Sequence, residues 1–197
     1  MCFTGSVLIL VRHGRTEANA AGLLQGRLDI PLDEVGRTQA VAVAAAIGSV
    51  ERVICSSLLR AQETAAAFAA PTHVDDRWIE LDYGVFDGCK LSEVPADAWS
   101  AWRSDPDYAP TGGESMGQLD ARVRAACVDA LELARTNNVV VVSHVTPIKA
   151  AMAWALGGDI SLSWRCFLDQ AAVCRIGVGP GGQPVLRSFN EILHSRA

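Results

Sequence analysis

Three short apolar runs constrain the fold of this chain more than any other feature. Val7-Leu8-Ile9-Leu10-Val11, Val53-Ile54-Cys55 and Val139-Val140-Val141-Val142 are rich in β-branched residues and do not alternate with polar ones. A strand with one wet face alternates, whereas a strand buried on both faces reads as a continuous apolar run. Such strands belong to parallel sheets that helices cover from both sides. The segments between the runs supply those helices. Residues 36–47 are rich in Ala and Val and end at Gly48, a plausible C-cap. Residues 58–70 stop at Pro71, and residues 146–156 stop at Gly157-Gly158. Between them, residues 115–135 place Met116, Leu119, Val123, Cys127, Ala130 and Ala134 on one face, with Ser115 and Gln118 spaced as a capping box. Two late strands, 172–178 and 184–189, flank the turn Gly179-Pro180-Gly181-Gly182. The alternation predicts an α/β fold: a three-layer αβα sandwich with a mostly parallel central sheet.

Length and composition narrow the rest. With 197 residues and no repeat, linker or low-complexity tract, one domain over 1–197 is expected. Within it, residues 71–113 show no sustained period. Yet they hold Trp78, Tyr83, Phe86, Trp99, Trp102 and Tyr108, half of the aromatics of a chain with five Trp, two Tyr and five Phe. This aromatic-rich insertion is either a cap over a site at the end of the sheet or packing onto the body. A net charge of −5 disfavours nucleic acid and an anionic membrane surface as partners. No apolar run approaches the roughly 20 residues of a membrane-spanning helix. Residues 1–6 lack the basic residues of a signal peptide, so a cytoplasmic location with reduced thiols is expected for the six cysteines, Cys2 among them. Those cysteines show no Cys-x-x-Cys spacing, and no metal site is expected. Fifteen of the seventeen basic residues are Arg, the exceptions being Lys90 and Lys149. Coding bias and a need for planar oxyanion binding both account for that excess.

In a parallel sheet the ligand site lies beyond the carboxyl ends of the strands. The first run leads into Arg12-His13-Gly14-Arg15-Thr16-Glu17, the second into Ser56-Ser57 with Arg60 close behind, and the third into Ser143-His144. Two of the four histidines therefore occupy equivalent places, with arginines beside them. Guanidinium forks and helix N-termini suit phosphate oxygens. A neutral imidazole can attack phosphorus and form a phosphoramidate that water later hydrolyses. The leaving oxygen then needs a proton from a carboxylic acid. Glu80 and Asp82, in Trp78-Ile79-Glu80-Leu81-Asp82-Tyr83-Gly84, are both candidates for that proton.

These residues resemble a known family. Arg12-His13-Gly14 after the first strand, extended by Thr16 and Asn19, looks like the signature of the histidine phosphatase superfamily, also called phosphoglycerate mutase-like. Gln25-Gly26, Asp29 with Pro31-Leu32, and Gly36 with Gln39-Ala40 resemble its following segment. Ser56-Ser57-Leu58-Leu59-Arg60-Ala61-Gln62-Glu63-Thr64-Ala65 resembles its second arginine motif, and Glu80, Gly84 and Phe86-Asp87-Gly88 its acid-bearing loop. Pro110, Gly113-Glu114-Ser115 and Ser143-His144 complete the order. The resemblance implies His13 as the phosphorylated nucleophile and Glu80 as general acid and base. Arg12, Arg60 and His144 would bind the phosphoryl oxygens, with Asn19, Gly26 and Thr146 as further phosphate- or substrate-binding positions. It implies no cofactor and no metal, and a small-molecule phosphate monoester as partner. Hydrolysis is the expected outcome, with mutase-type transfer and a non-catalytic phospho-ligand binder as alternatives. Monomer and homodimer both stay open. Arg15, Val145-Thr146 and Asp87 depart from the family pattern; Arg15 is expected to add a positive group near the pocket mouth, and Arg15 and Arg27 to contribute to specificity.

Two motifs point elsewhere. Gly113-Glu114-Ser115-Met116-Gly117 matches the nucleophile elbow of serine hydrolases, but the proline-broken stretch before it does not read as a strand. Gly177-Val178-Gly179-Pro180-Gly181-Gly182 matches a dinucleotide-binding pattern, but it precedes a strand where that motif requires a helix.

Overall fold

The computed structural model describes residues 6–193, so Cys2 lies outside the described residues. Its strands are β1 (Val7–Arg12), β2 (Arg52–Cys55), β3 (Thr72–Val74), β4 (Val139–Ser143), β5 (Val173–Val178) and β6 (Pro184–Glu191). Its α-helices are α1 (Glu17–Ala20), α2 (Glu34–Ile47), α3 (Leu59–Ala65), α4 (Ala96–Ser104), α5 (Met116–Leu133) and α6 (Val145–Ala155). The strands form one sheet in the order β3-β2-β4-β1-β5-β6. The four strands from β3 to β1 run parallel, and β5 is antiparallel to both of its neighbours.

The three apolar runs are adjacent in the middle of this sheet, where Leu8–Arg12 pairs in parallel with Val139–Ser143 and Arg52–Cys55 pairs with Val139–Val142. Their residues divide between two cores according to the strand period of two. Leu8, Leu10, Val139 and Val141 join Leu119, Val123 and Cys127 of α5 and Ile148 of α6. Ile9, Val11, Val140 and Val142 join Val43 of α2 and Ala61 and Ala65 of α3. Each apolar side chain so buried contributes roughly 1.5–3 kcal/mol, which is why no position in these runs is polar. Helices on both faces of a mostly parallel sheet make this the expected αβα sandwich.

The predicted elements differ from the observed ones mainly between residues 58 and 113. The helix expected over 58–70 ends at Ala65. Turns follow, with Phe68 N bonded to Ala65 O and Ala70 N to Phe68 O, and they seat Phe68 in the core. Residues 72–74 form an edge strand with every side chain exposed, so no apolar pattern announced it. Trp78 is fully buried and its carbonyl accepts from Ser143 Oγ at 2.6 Å, so this ring belongs to the body. The other aromatics gather around Trp102, whose ring lies 5.4–5.8 Å from those of Tyr83, Phe86, Trp99 and Tyr108. Trp102 lies on α4, which the sequence left unassigned.

The two decoy motifs resolve into local structure. Ser115 is the N-cap of α5: Gln118 N donates to Ser115 Oγ at 3.1 Å, and Ser115 N to Gln118 Oε1 at 2.9 Å. Residues 179–182 are the β5–β6 hairpin, closed by Gly182 N to Gly179 O at 2.9 Å. Among the described residues, no helix is long and apolar enough to cross a membrane.

Candidate active site

The carboxyl ends of β1, β2 and β4 open onto one cavity of about 380 Å³. Arg12 and His13 come from the end of β1, Arg60 from the first turn of α3 beyond β2, and Glu80 from the loop before Gly84. Asn19, Gly26 and Thr146 also line it. His144, which follows β4 directly, is fully buried against His13, with ring centroids 5.1 Å apart. Arg12, His13, Asn19, Gly26, Arg60, Glu80 and Thr146 thus meet at one cavity, with His144 packed against His13.

His13 is held by its own loop. Its Nδ1 lies 2.7 Å from Gly14 O. A carbonyl can only accept, so the proton sits on Nδ1 and the lone pair on Nε2. Burial, reinforced by the charges of Arg60 and Arg12, pushes its pKa well below the usual histidine value. The ring is neutral at physiological pH, the form with a lone pair to donate. Behind it, Gly14 N donates to Thr64 Oγ1 at 3.1 Å, and Thr64 Oγ1 donates to Arg60 O at 2.8 Å. This bond chain ties the β1 loop to the helix that carries Arg60. The approach of α2 explains Gly14 and Gly36: a Cβ on Gly14 would sit 2.4 Å from Gly36 O, and one on Gly36 would sit 2.0 Å from Arg15 O.

Both arginines are buried and form no ion pair with any described residue. Arg60 is 1% exposed and spends Nη1 and Nη2 on Leu28 O and Gly26 O, both at 2.7 Å. Arg12 donates to Leu168 O at 2.6 Å. Burial lowers the Arg12 pKa to about 10 and shifts Arg60 in the same direction. The Nε atoms of both and Nδ1 of His144 are buried with no partner among the described residues. Nε2 of His144 is 2.8 Å from Ser56 Oγ, so a Ser56 hydroxyl donating there leaves the proton on Nδ1. Burial also drives the His144 pKa well below its ordinary value. Unsatisfied buried donors cost about 1–3 kcal/mol each, and unpaired buried cations cost more. An anion with several acceptor oxygens suits the two guanidiniums that line the cavity.

The two candidate carboxylates separate in space. Glu80 Oε1 accepts from Leu81 N at 2.8 Å and Thr146 N at 3.3 Å, and its side chain lines the cavity. Asp82 instead receives Gly84 N at 2.9 Å and pairs with Arg27 at 3.4 Å. The loop bearing Glu80 is organised by Arg122 of α5, a residue that sequence reasoning missed. Its guanidinium reaches Arg77 O, Ile79 O and Glu80 O at 2.7–3.2 Å and closes on both oxygens of Glu114 at 2.7 and 2.8 Å. No local signal marks Arg122, because its three carbonyl partners lie more than 40 residues away. Ser56 and Tyr83 were also missed as site components, although both stand inside quoted motifs. The Tyr83 hydroxyl is 3.3 Å from Thr146 Oγ1, and burial raises its pKa.

The departures from the family pattern now have places. The Thr146 amide lies against the Glu80 carboxylate at 3.3 Å. Arg15 and Arg27, expected to contribute to specificity, do not line the cavity and are paired elsewhere: Arg15 with Asp33 at 2.7 Å, and Arg27 with Asp82 and Glu114. Asp87 clamps the loop containing Gly26, accepting from Arg27 N at 3.0 Å and Tyr83 N at 3.3 Å. A Cβ on Gly26, where φ is +46°, would lie 1.8 Å from Asp87 Oδ1.

Comparisons with known proteins agree with this geometry. A family model described as the histidine phosphatase superfamily (branch 1) matches residues 8–192. A bifunctional protein of Mycobacterium tuberculosis is 34% identical over 95% of this chain, which spans 54% of that relative's length. The chain thus covers about half of the first curated relatives it matches. A glucosyl-3-phosphoglycerate phosphatase of the same organism is 35% identical, with 80% of this chain and 82% of that protein covered. Among solved structures, a phosphoserine phosphatase mutant of Entamoeba histolytica bound to phosphoserine superposes with a TM-score of 0.86. It is 28% identical, with 94% of this chain and 97% of that one covered. With the family model spanning nearly the whole chain and the strand-end residues gathered at one cavity, the chain belongs to the histidine phosphatase superfamily, branch 1.

Proposed function

We propose that this chain is a phosphomonoesterase that works through a phosphohistidine on His13. One observation carries this reading. Two buried guanidiniums with no carboxylate partner among the described residues line the same cavity as a neutral histidine, whose free nitrogen is set by the Gly14 carbonyl. Arg12 and Arg60 neutralise the equatorial oxygens of the transferring phosphoryl group, and neutral His144 donates a hydrogen bond to them. His13 Nε2 donates its lone pair to phosphorus as the ester P–O bond breaks, and Glu80, protonated at this stage, gives its proton to the leaving oxygen. Water then attacks the phosphorus of phospho-His13 while the Glu80 carboxylate takes its proton. The N–P bond breaks, inorganic phosphate leaves, and both residues return to their starting states. The arginines and His144 supply the positive charge and donors a metal would otherwise bring, so turnover is expected to be metal-independent.

Relatives named for phosphoserine and glucosyl-3-phosphoglycerate support small phosphate esters as the substrate class. Residues 71–113 act as a cap within one domain, a role supported by Glu80, Leu81, Tyr83, Leu91 and Trp99 lining the cavity. The free thiols of Cys55, Cys89, Cys127, Cys166 and Cys174 support a reducing, cytoplasmic setting.

The test is phosphate release from phenyl phosphate and phosphoserine with EDTA present, together with acid- and alkali-treated samples of protein labelled from a radioactive ester. Release that survives chelation, with label stable in alkali, lost in acid and absent from His13→Ala, is the expected result. Full turnover by His13→Ala would overturn the nucleophile assignment. Interconversion of phosphoglycerates faster than phosphate release would overturn hydrolysis.

A further inference from the structure

The cavity extends past the phosphoryl centre, and its outer part contains a group that the proposed chemistry does not use. Its lining includes an apolar set, Leu23, Leu91, Trp99, Trp164 and Phe167, of which Phe167 is 71% exposed, with Ser163 and Gln170 as polar members. Besides Arg12 and Arg60, Lys149 is the one further cation among the lining residues. The first turns of α6 bring Val145, Thr146 and Lys149 to the cavity. The i, i+3 spacing puts Lys149 on the same helix face as Thr146, whose amide touches Glu80. Lys149 is only partly exposed, and it makes no hydrogen bond or ion pair with any described residue. Burial and the charge of Arg12 lower its pKa, while Cys166 and Glu80 act in the opposite sense. The chain has one other lysine, Lys90, which is exposed.

A partly desolvated ammonium among aromatic and aliphatic groups costs free energy until an anion meets it. The dianion of the ester is taken by Arg12, Arg60 and His144, so the partner of Lys149 has to be a second negative group on the leaving portion. The wall around it favours an apolar body between the two. We propose that Lys149 is a specificity-determining residue that selects phosphate monoesters whose largely apolar leaving group carries a carboxylate. This inference rests on the phosphomonoesterase reading and adds a substrate class to it. The carboxylate pairs with the ammonium, the apolar body lies on Trp99, Trp164 and Phe167, and the ester oxygen is left beside Glu80. A neutral polyol would leave Lys149 unpaired and wet the apolar wall.

The experiment compares kcat/KM for phenyl phosphate, 3- and 4-carboxyphenyl phosphate and 4-(aminomethyl)phenyl phosphate. The proteins are wild type, Lys149→Met, Lys149→Arg and Lys149→Glu. Because ratios between esters are compared on one preparation, general loss of activity or of folded protein cancels. Wild type is expected to favour one carboxylated ester over phenyl phosphate by about tenfold, the scale of one charge-assisted hydrogen bond. Lys149→Met should remove that preference, Lys149→Arg should keep it, and Lys149→Glu should turn it toward the aminomethyl ester. A wild type without carboxylate preference, or a preference that survives Lys149→Met, overturns the inference and leaves phosphatase activity standing. Failure of wild type to hydrolyse any of these esters overturns both.

Discussion

Replacing Arg122 with Met tests how the acid-bearing loop is held. The guanidinium makes hydrogen bonds to three backbone carbonyls around Glu80 and a two-pronged contact with Glu114. Both side chains of that pair are largely buried, at 17% and 12% exposure. Methionine keeps much of the stem volume and removes all the donors. Glu114 then retains only the more exposed Arg27, at 3.3 Å. Removing one partner from a buried, hydrogen-bonded ion pair costs about 3 kcal/mol. In a chain of this size each kcal/mol lowers Tm by about 2–4 °C, so a fall of about 6–12 °C is expected by calorimetry. Freed from Arg122, the Glu80 carbonyl and carboxyl drift, and a misplaced general acid costs about a hundredfold in rate. That loss should depend on the leaving group. A nitrophenolate departs with little help from an acid, whereas the alkoxide of phosphoserine needs the proton. The drop in kcat should therefore be about tenfold or more larger for phosphoserine than for 4-nitrophenyl phosphate. Adding Glu114→Gln should restore part of the lost stability, because no uncompensated charge then remains. An unchanged Tm, or equal losses on both esters, would refute this account of Arg122 as the positioning residue for Glu80.

Other outcomes follow from the same geometry. His13 and His144 have pKa values well below that of an unfolded-state histidine, so the unfolded chain binds more protons once pH falls below about 6.5. Stability should then fall with acidification, by up to about 1.4 kcal/mol per pH unit for each residue. Urea midpoints between pH 7 and pH 5.5 measure it, and a flat profile would count against neutral, buried rings. Ser115→Ala removes a capping box, so it should cost about 1 kcal/mol and leave phosphate release intact. Loss of activity without loss of Tm in that variant would revive Ser115 as a nucleophile. Trp102→Ala empties the centre of the aromatic cluster and should destabilise by about 3–5 kcal/mol. Calorimetry showing a shift of less than about 2 °C would mean that the cluster does not anchor α4.

Much of this architecture was legible before any coordinates, for reasons that can be named. A residue in a strand covered on both faces can hardly be polar, so Val139–Val142 and Leu8–Val11 record their own burial in residue type. The points where such runs stop mark the end of the sheet at which ligands bind. His13, Arg12, His144 and Arg60 were therefore placed by local pattern alone. The capping box at Ser115 was equally local, since donor and acceptor are three residues apart. Residues 71–113 resisted the same treatment. The three residues of β3 are strand only because the backbone of β2 pairs with them, and all of their side chains are exposed. Trp78 and Trp102 have the same residue type, yet one packs beneath the sheet and the other centres an aromatic cluster on α4.

The amino-acid sequence by itself determined the parallel core and the strand ends where phosphate chemistry can gather, because burial on two faces and chain order are properties of neighbouring residues. Only the tertiary structure decided which carboxylate faces the cavity, which arginines have no carboxylate partner among the described residues and where Lys149 stands. Glu80 and Asp82 are chemically similar and two positions apart. Arg122 and the Thr146 amide hold one at the cavity, while Arg27 draws the other away. Arg15 and Arg27 looked as available as Arg12 and Arg60, until Asp33, Asp82 and Glu114 were found beside them. Whether a charge is neutralised depends on groups 18 to 87 residues away along the chain. No local pattern encodes such distances, and folding alone brings those partners within a few ångströms.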